Sequence, residues 1–151
     1  MKAAVLTFLI SMVPVLELRG AIPYGVMEGL SIHEATIIAA IGNMLPVPII
    51  VLFVRKVFEY MRKKSDRLDR FVVKMENKAM SKKDTVEKYE FWGLVLLVAI
   101  PLPGTGAWTG SLVAVMMDMR LKRAFPAIAL GVLIAAILVS WITFGAKTAL
   151  S

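Results

Sequence analysis

Three stretches of this chain, 35–54, 91–117 and 124–146, carry no charged residue over 20, 27 and 23 positions. A helix needs about 20 apolar residues to cross the hydrocarbon core of a bilayer. Runs of that length leave a soluble fold little room, and a 58% apolar share with a mean hydropathy of +0.74 agrees. The chain is read as a single membrane domain over residues 1–151. A fourth uncharged stretch, 3–16, has only 14 residues. It is read as part of the fold rather than a cleaved leader, because Glu17-Leu18-Arg19 stands where small residues would be needed.

The charges are segregated. Residues 55–90 hold 12 of the 18 Lys+Arg and 7 of the 11 Asp+Glu. The interspersed acids argue against a nucleic acid partner, which needs an unbroken basic face; membrane lipid is the expected neighbour. There is no cysteine and one histidine, so thiolate and multi-histidine metal sites are excluded. No metal, cofactor or catalytic set is expected, and the chain is not expected to be an enzyme. Leu68, Phe71, Val72, Met75 and Ala79 recur at helical spacing. They predict an amphipathic helix over 65–80, either lying on anionic headgroups or serving as a solvated connector. Ser81 and Asp84 have capping-box spacing and predict a second helix start.

Two of the apolar regions are interrupted. The stretch 3–16 runs into ELRGAIPYG at 17–25, and 91–117 contains PLPGTGAWTG at 101–110. Glycine and proline at that density predict half-helix, irregular segment, half-helix. Stretches 35–54 and 124–146 read as ordinary spans. Ser31 and Glu34 predict a capping box, Pro46 and Pro48 a kink near 43–45. The order of elements then repeats: repeat one at 3–54, an amphipathic connector at 55–90, repeat two at 91–146. The predicted fold is all-α, with two inverted-topology repeats, each a re-entrant helical hairpin plus one long transmembrane helix. Residues 55–90 and 118–123 together carry 15 of the 18 basic residues. That side is read as cytoplasmic, with both termini outside the inner membrane.

Candidate site residues follow from polarity inside apolar surroundings. Glu17 and Arg19 are ionisable groups beside Gly20 and Pro23, and such groups mark functional sites by default. Arginine offers a phosphate or carboxylate a two-pronged donor set. The uncharged second motif offers Pro101, Pro103, Gly104, Thr105, Gly106, Trp108 and Thr109: backbone N–H groups, two hydroxyls and an aromatic ring. Asn43 is a polar residue in mid-span that either lines the pathway or bonds backbone freed by the kink.

ELRGAIP and PLPGTGAWTG, in this order on a membrane chain of this length, resemble the small multidrug export protein family, a distant relative of the DedA/VTT membrane proteins. The resemblance covers nearly the whole chain. It implies two oppositely oriented re-entrant hairpins, with Glu17 and Arg19 in the first and 101–110 in the second. It also implies transport, in some DedA proteins of undecaprenyl phosphate. The second hairpin differs from DedA in carrying no arginine. The expected function is transport of an amphipathic anionic substrate, a polyprenyl-phosphate lipid carrier being one such, with proton coupling through Glu17. The alternative is a small multidrug exporter of cations with Glu17 as shared proton and cation site. A third reading is a membrane scaffold without transport. A homodimer is expected, since lipid cannot satisfy the irregular segments.

Overall fold

A computed structural model describes residues 1–89, 91–100 and 105–150, with side chains described at all of these except 79–89. Every regular element among the described residues is helical: α1 (Lys2–Met12), α2 (Glu17–Met27), α3 (Ile32–Met44), α4 (Pro46–Lys64), α5 (Asp66–Tyr89), α6 (Phe91–Ala99), α7 (Ala107–Met116) and α8 (Leu121–Leu150).

Two helical rods are long and apolar enough to span a bilayer. Ile32–Lys64 runs for 33 residues through α3 and α4, and Leu121–Leu150 for 30. The first begins at the expected capping box, in which Ser31 Oγ accepts from the Glu34 N–H and Glu34 accepts from the Ser31 N–H. It is interrupted at Leu45, where the expected kink falls. Pro46 and Pro48 cannot donate to the carbonyls of Gly42 and Met44, and the Leu45 N–H turns to Gly42 O at 3.3 Å instead.

The first broken region breaks earlier than its glycines and proline suggest. The irregular segment is 13–16, and ELRGAIPYG lies inside α2 with Pro23 within the helix. Pro23 leaves the Arg19 carbonyl without its helical donor, a cost of about 3 kcal/mol in a free helix. Burial offsets it, because Leu18, Ala21 and Ile22 are fully inaccessible among α1, α3 and α8. The turn before α2 is strained: Val15 has φ +81° and Glu17 φ +46°, a region that side-chain-bearing residues avoid. In the second region the break is shorter than the motif. Ala107–Gly110 form the first turn of α7, and Gly110 is required there because a Cβ would lie 2.5 Å from Val98 Cγ2. Pro101, Pro103 and Gly104 lie outside the described residues.

Each short pair packs on a long rod. The α1–α2 pair lies on α3: Gly25 fits against Thr7 and Ala35, and Gly42 against Ser11 and Phe8. The α6–α7 pair lies on α8, where Gly131 sits under Val95 and Val98. The outer ends of that second pair share one cavity, lined by Phe91, Met117, Asp118 and Pro126 among others. Arg55 reaches the same end, donating to Asp118 Oδ1 at 2.6 Å and to Val115 O at 2.5 Å.

The connector departs from expectation. α5 is one continuous helix through Ser81, so the second helix start does not form. It is also no solvated arm. It folds back on α4, α6 and α7, with Val72 fully buried and Arg62 of α4 paired to Asp69 and Glu76. Within its apolar stripe Val72 is buried and Met75 partly so, while Phe71 stays half exposed.

Candidate functional site

The breaks in the two short pairs meet. Glu17, at the start of α2, is 2% exposed. Its Oε1 accepts from the backbone N–H of Trp108 at 2.9 Å, and its Oε2 accepts from Arg19 Nη1 at 2.9 Å. Arg19 Nη2 then spans to α6, donating to Ile100 O at 2.5 Å, Val98 O at 3.3 Å and Thr105 Oγ1 at 3.1 Å. Thr105 Oγ1 itself donates to Ile100 O at 2.6 Å. A third tie runs the other way: Trp108 Nε1 donates to Met12 O, at the end of α1, at 2.9 Å.

These bonds have a common cause. A helix leaves its first N–H groups and last carbonyls without partners, and its dipole places partial positive charge at the first and negative at the last. α7 starts at Gly106, which has no side chain to cap with. The Glu17 carboxylate, from 91 residues away, takes that role. The last carbonyls of α6 receive the Arg19 guanidinium. Acid meets helix start and base meets helix end, so one pair two residues apart serves both ends of the broken second region. Gly106 has φ +118°, and a Cβ there would overlap Glu17 Oε2 and lie 2.5 Å from Arg19 Nη1. Only glycine permits this approach.

Among the described residues three buried polar side-chain atoms lack a hydrogen-bond partner, Thr143 Oγ1 in α8 and two others. Arg19 Nε is buried and makes no hydrogen bond. Asn43 is 1% exposed, and its Oδ1 accepts none. Asn43 lines none of the cavities described below. Gly20 packs against the Leu16 side chain, and Pro23 lies within α2.

A cavity of about 150 Å³ opens beside Glu17. Thr105, Trp108 and Thr109 line it, together with Pro14, Val15 and Leu112. Its far wall is Phe71, Met75 and Lys78 of α5, which sequence reasoning had assigned to the connector. Their helical spacing was the available signal; nothing in it named the surface they cover. Chemically the junction offers anion-type donors, a backbone N–H at a helix start and an arginine N–H. Here it holds the chain's own carboxylate.

A family model described as "Putative small multi-drug export protein" matches residues 17–138. That range begins at the buried acid and contains both breaks' partners. No curated protein and no solved structure matches the chain.

Proposed function

The chain belongs to that family of membrane proteins, and from this premise we propose that it is a transporter for an amphipathic anion, bound where the two broken regions meet. A polyprenyl phosphate is one substrate of this class. The two broken regions are re-entrant hairpins of opposite orientation, with both termini outside the inner membrane and α5 on the cytoplasmic half. Support comes from the meeting of their tips at Glu17, Arg19 and Trp108, and from Phe91 and Asp118 bordering one cavity at the same end. A homodimer would shield the glycine-rich faces from lipid. No step of chemistry on the substrate is proposed.

One observation carries the choice of anion. The Trp108 N–H and Arg19 Nη1 already grip a carboxylate, that of Glu17. A substrate phosphate competes for these same donors. Protonating Glu17 removes the internal competitor, so the anion and one proton enter together and the bound site keeps its charge. Three outcomes follow for flux of an alkyl phosphate into proteoliposomes. Flux rises as pH falls, by up to tenfold per unit over the titration of Glu17. Where the cargo is the phosphate monoanion, flux is insensitive to membrane potential, because monoanion plus proton is neutral. Glu17→Gln keeps binding and loses the pH dependence. Flux that rises with pH, or Glu17→Gln that keeps the full pH dependence, refutes the exchange.

One feature favours the cationic alternative: Trp108 and Phe71 line the Glu17 cavity, as rings that hold organic cations do. The same assay separates the two. A cation exporter would carry a lipophilic ammonium and lose that flux in Glu17→Gln, while Arg19→Lys would leave it intact. For an anion, Arg19→Lys weakens flux, because a point charge replaces the fork.

A further inference from the structure

The cavity beside Glu17 is too small for a whole amphiphile. Small-molecule sites occupy roughly 300–1,000 Å³, against about 150 Å³ here. It adjoins a second cavity of about 360 Å³. Pro14, Phe71, Met75, Trp108 and Leu112 line both. The second cavity is lined by apolar side chains alone. It follows α4 from Ile49 to Met61, which at 1.5 Å per residue is about 18 Å. The shape is a groove between α4 and α5 with its head at the anion site.

We propose that this groove between α4 and α5 holds the hydrocarbon tail of the substrate, so that α5 is a wall of the binding site and the substrate is a single-chain amphiphile. The proposal rests on the transport reading above. Two further observations identify the occupant. The groove's rim is apolar and open: Ile49, Phe53, Val57 and Phe71 are 50–59% exposed, so what enters comes from hydrocarbon. The other end meets the only described cavity that contains the buried acid, so what lies there has one polar head. A compact planar drug matches neither an elongated groove nor a single polar end. α5 carries Lys78 into the polar cavity and Phe71 and Met75 into both, so one helix contacts head and tail together.

A tail leaving lipid for this groove gains no hydrophobic free energy, since lipid tails are equally apolar. The test therefore reads contact rather than affinity. Trp92 and Trp141 are 66% and 70% exposed and lie outside the site; replacing both by Phe leaves Trp108 as the sole indole. The double variant is reconstituted in nanodiscs and titrated with dodecyl phosphate brominated on its tail. Bromine quenches indole only at contact. The expected result is saturable quenching at low mole fraction, reversed by unbrominated dodecyl phosphate. Brominated dodecyl maltoside should quench only in proportion to its mole fraction. Val54→Phe and Val57→Phe, two separate fillings of the groove, should each remove the saturable part. Butyl phosphate flux, which needs only the head site, should survive in both. Saturable quenching untouched by either filling overturns the groove while leaving the anion site standing. Saturable quenching by a brominated dodecyl ammonium but not by the phosphate, lost on filling, supports the groove and overturns the anionic reading instead. Absence of saturable quenching by any headgroup overturns the groove.

Discussion

Replacing Gly106 by alanine tests the junction without touching a charge. The Cβ would overlap Glu17 Oε2 and approach Arg19 Nη1 to 2.5 Å. Two costs follow. The backbone at φ +118° and ψ −167° lies in a region nearly exclusive to glycine, worth about 1–3 kcal/mol. The clash must also open the Glu17–Arg19 pair, and breaking a buried pair costs about 3–5 kcal/mol. Gly29 is the natural control: its φ is +103°, and nothing lies within 4 Å of a Cβ placed there. Gly29→Ala should therefore show backbone strain alone. Titration of each variant with SDS in mixed micelles, followed by far-UV circular dichroism, reads the difference. Gly106→Ala should be the less stable by at least about 2 kcal/mol, allowing for partial relaxation. In a Glu17→Ala background the clashing carboxylate is gone, and most of that excess should vanish. Equal penalties at the two glycines, or an unchanged Gly106 penalty in the second background, would refute the capping geometry.

Other perturbations reach the rest of the molecule. In this cysteine-free chain, Lys63→Cys and Lys122→Cys should react with an impermeant maleimide from one face and Glu28→Cys from the other; Lys122→Cys labelled from the Glu28 face makes the second hairpin a full crossing. Gly131→Ala places a Cβ 2.6 Å from Val98 Cβ and 2.9 Å from Val95 O. It should lower stability by about 1–3 kcal/mol, with partial rescue by Val98→Gly, which removes the clashing Cβ. Failure of that rescue would place the strain elsewhere. Ser31→Ala removes the α3 capping box and should cost about 1 kcal/mol in the same titration; no change would mean that the α3 start is held by packing alone.

The elements legible in the sequence are those decided by neighbours along the chain. The Ser31–Glu34 box and the Pro46–Pro48 interruption need only residues three or four apart, and both stand where spacing places them. The existence of two broken regions was legible for the same reason. Their boundaries were not, because Gly20 and Pro23 weigh against a helix locally while burial of Leu18, Ala21 and Ile22 favours it. Tertiary burial prevailed, and the break moved to Pro14. The continuity of α5 through Ser81 is a case of the same conflict: a capping pattern is only an offer, and it is declined where the helix is already held by α4, α6 and α7.

Glu17 and Arg19 stood out as charged residues in an apolar setting, which marks importance without saying what they face. Their distant partners lie 79 to 91 residues away and, Thr105 Oγ1 apart, are backbone atoms: the Trp108 N–H and the carbonyls of Val98 and Ile100. Backbone groups have no sequence signature, so a half-helix end that needs a charge is invisible until the fold supplies its position. This changes what Arg19 can be asked to show. It closes the end of α6, so Arg19→Ala removes carbonyl partners and a buried counter-charge together, and the loss of transport it causes would not separate binding from folding. The pair's double duty also explains why strain is tolerated at Val15 and Glu17. The strained turn holds the acid at the start of α7, and an acid that caps a helix while it is charged uncaps it when neutral. On the transport reading proposed above, closure at the start of α7 and proton binding are two states of this one carboxylate.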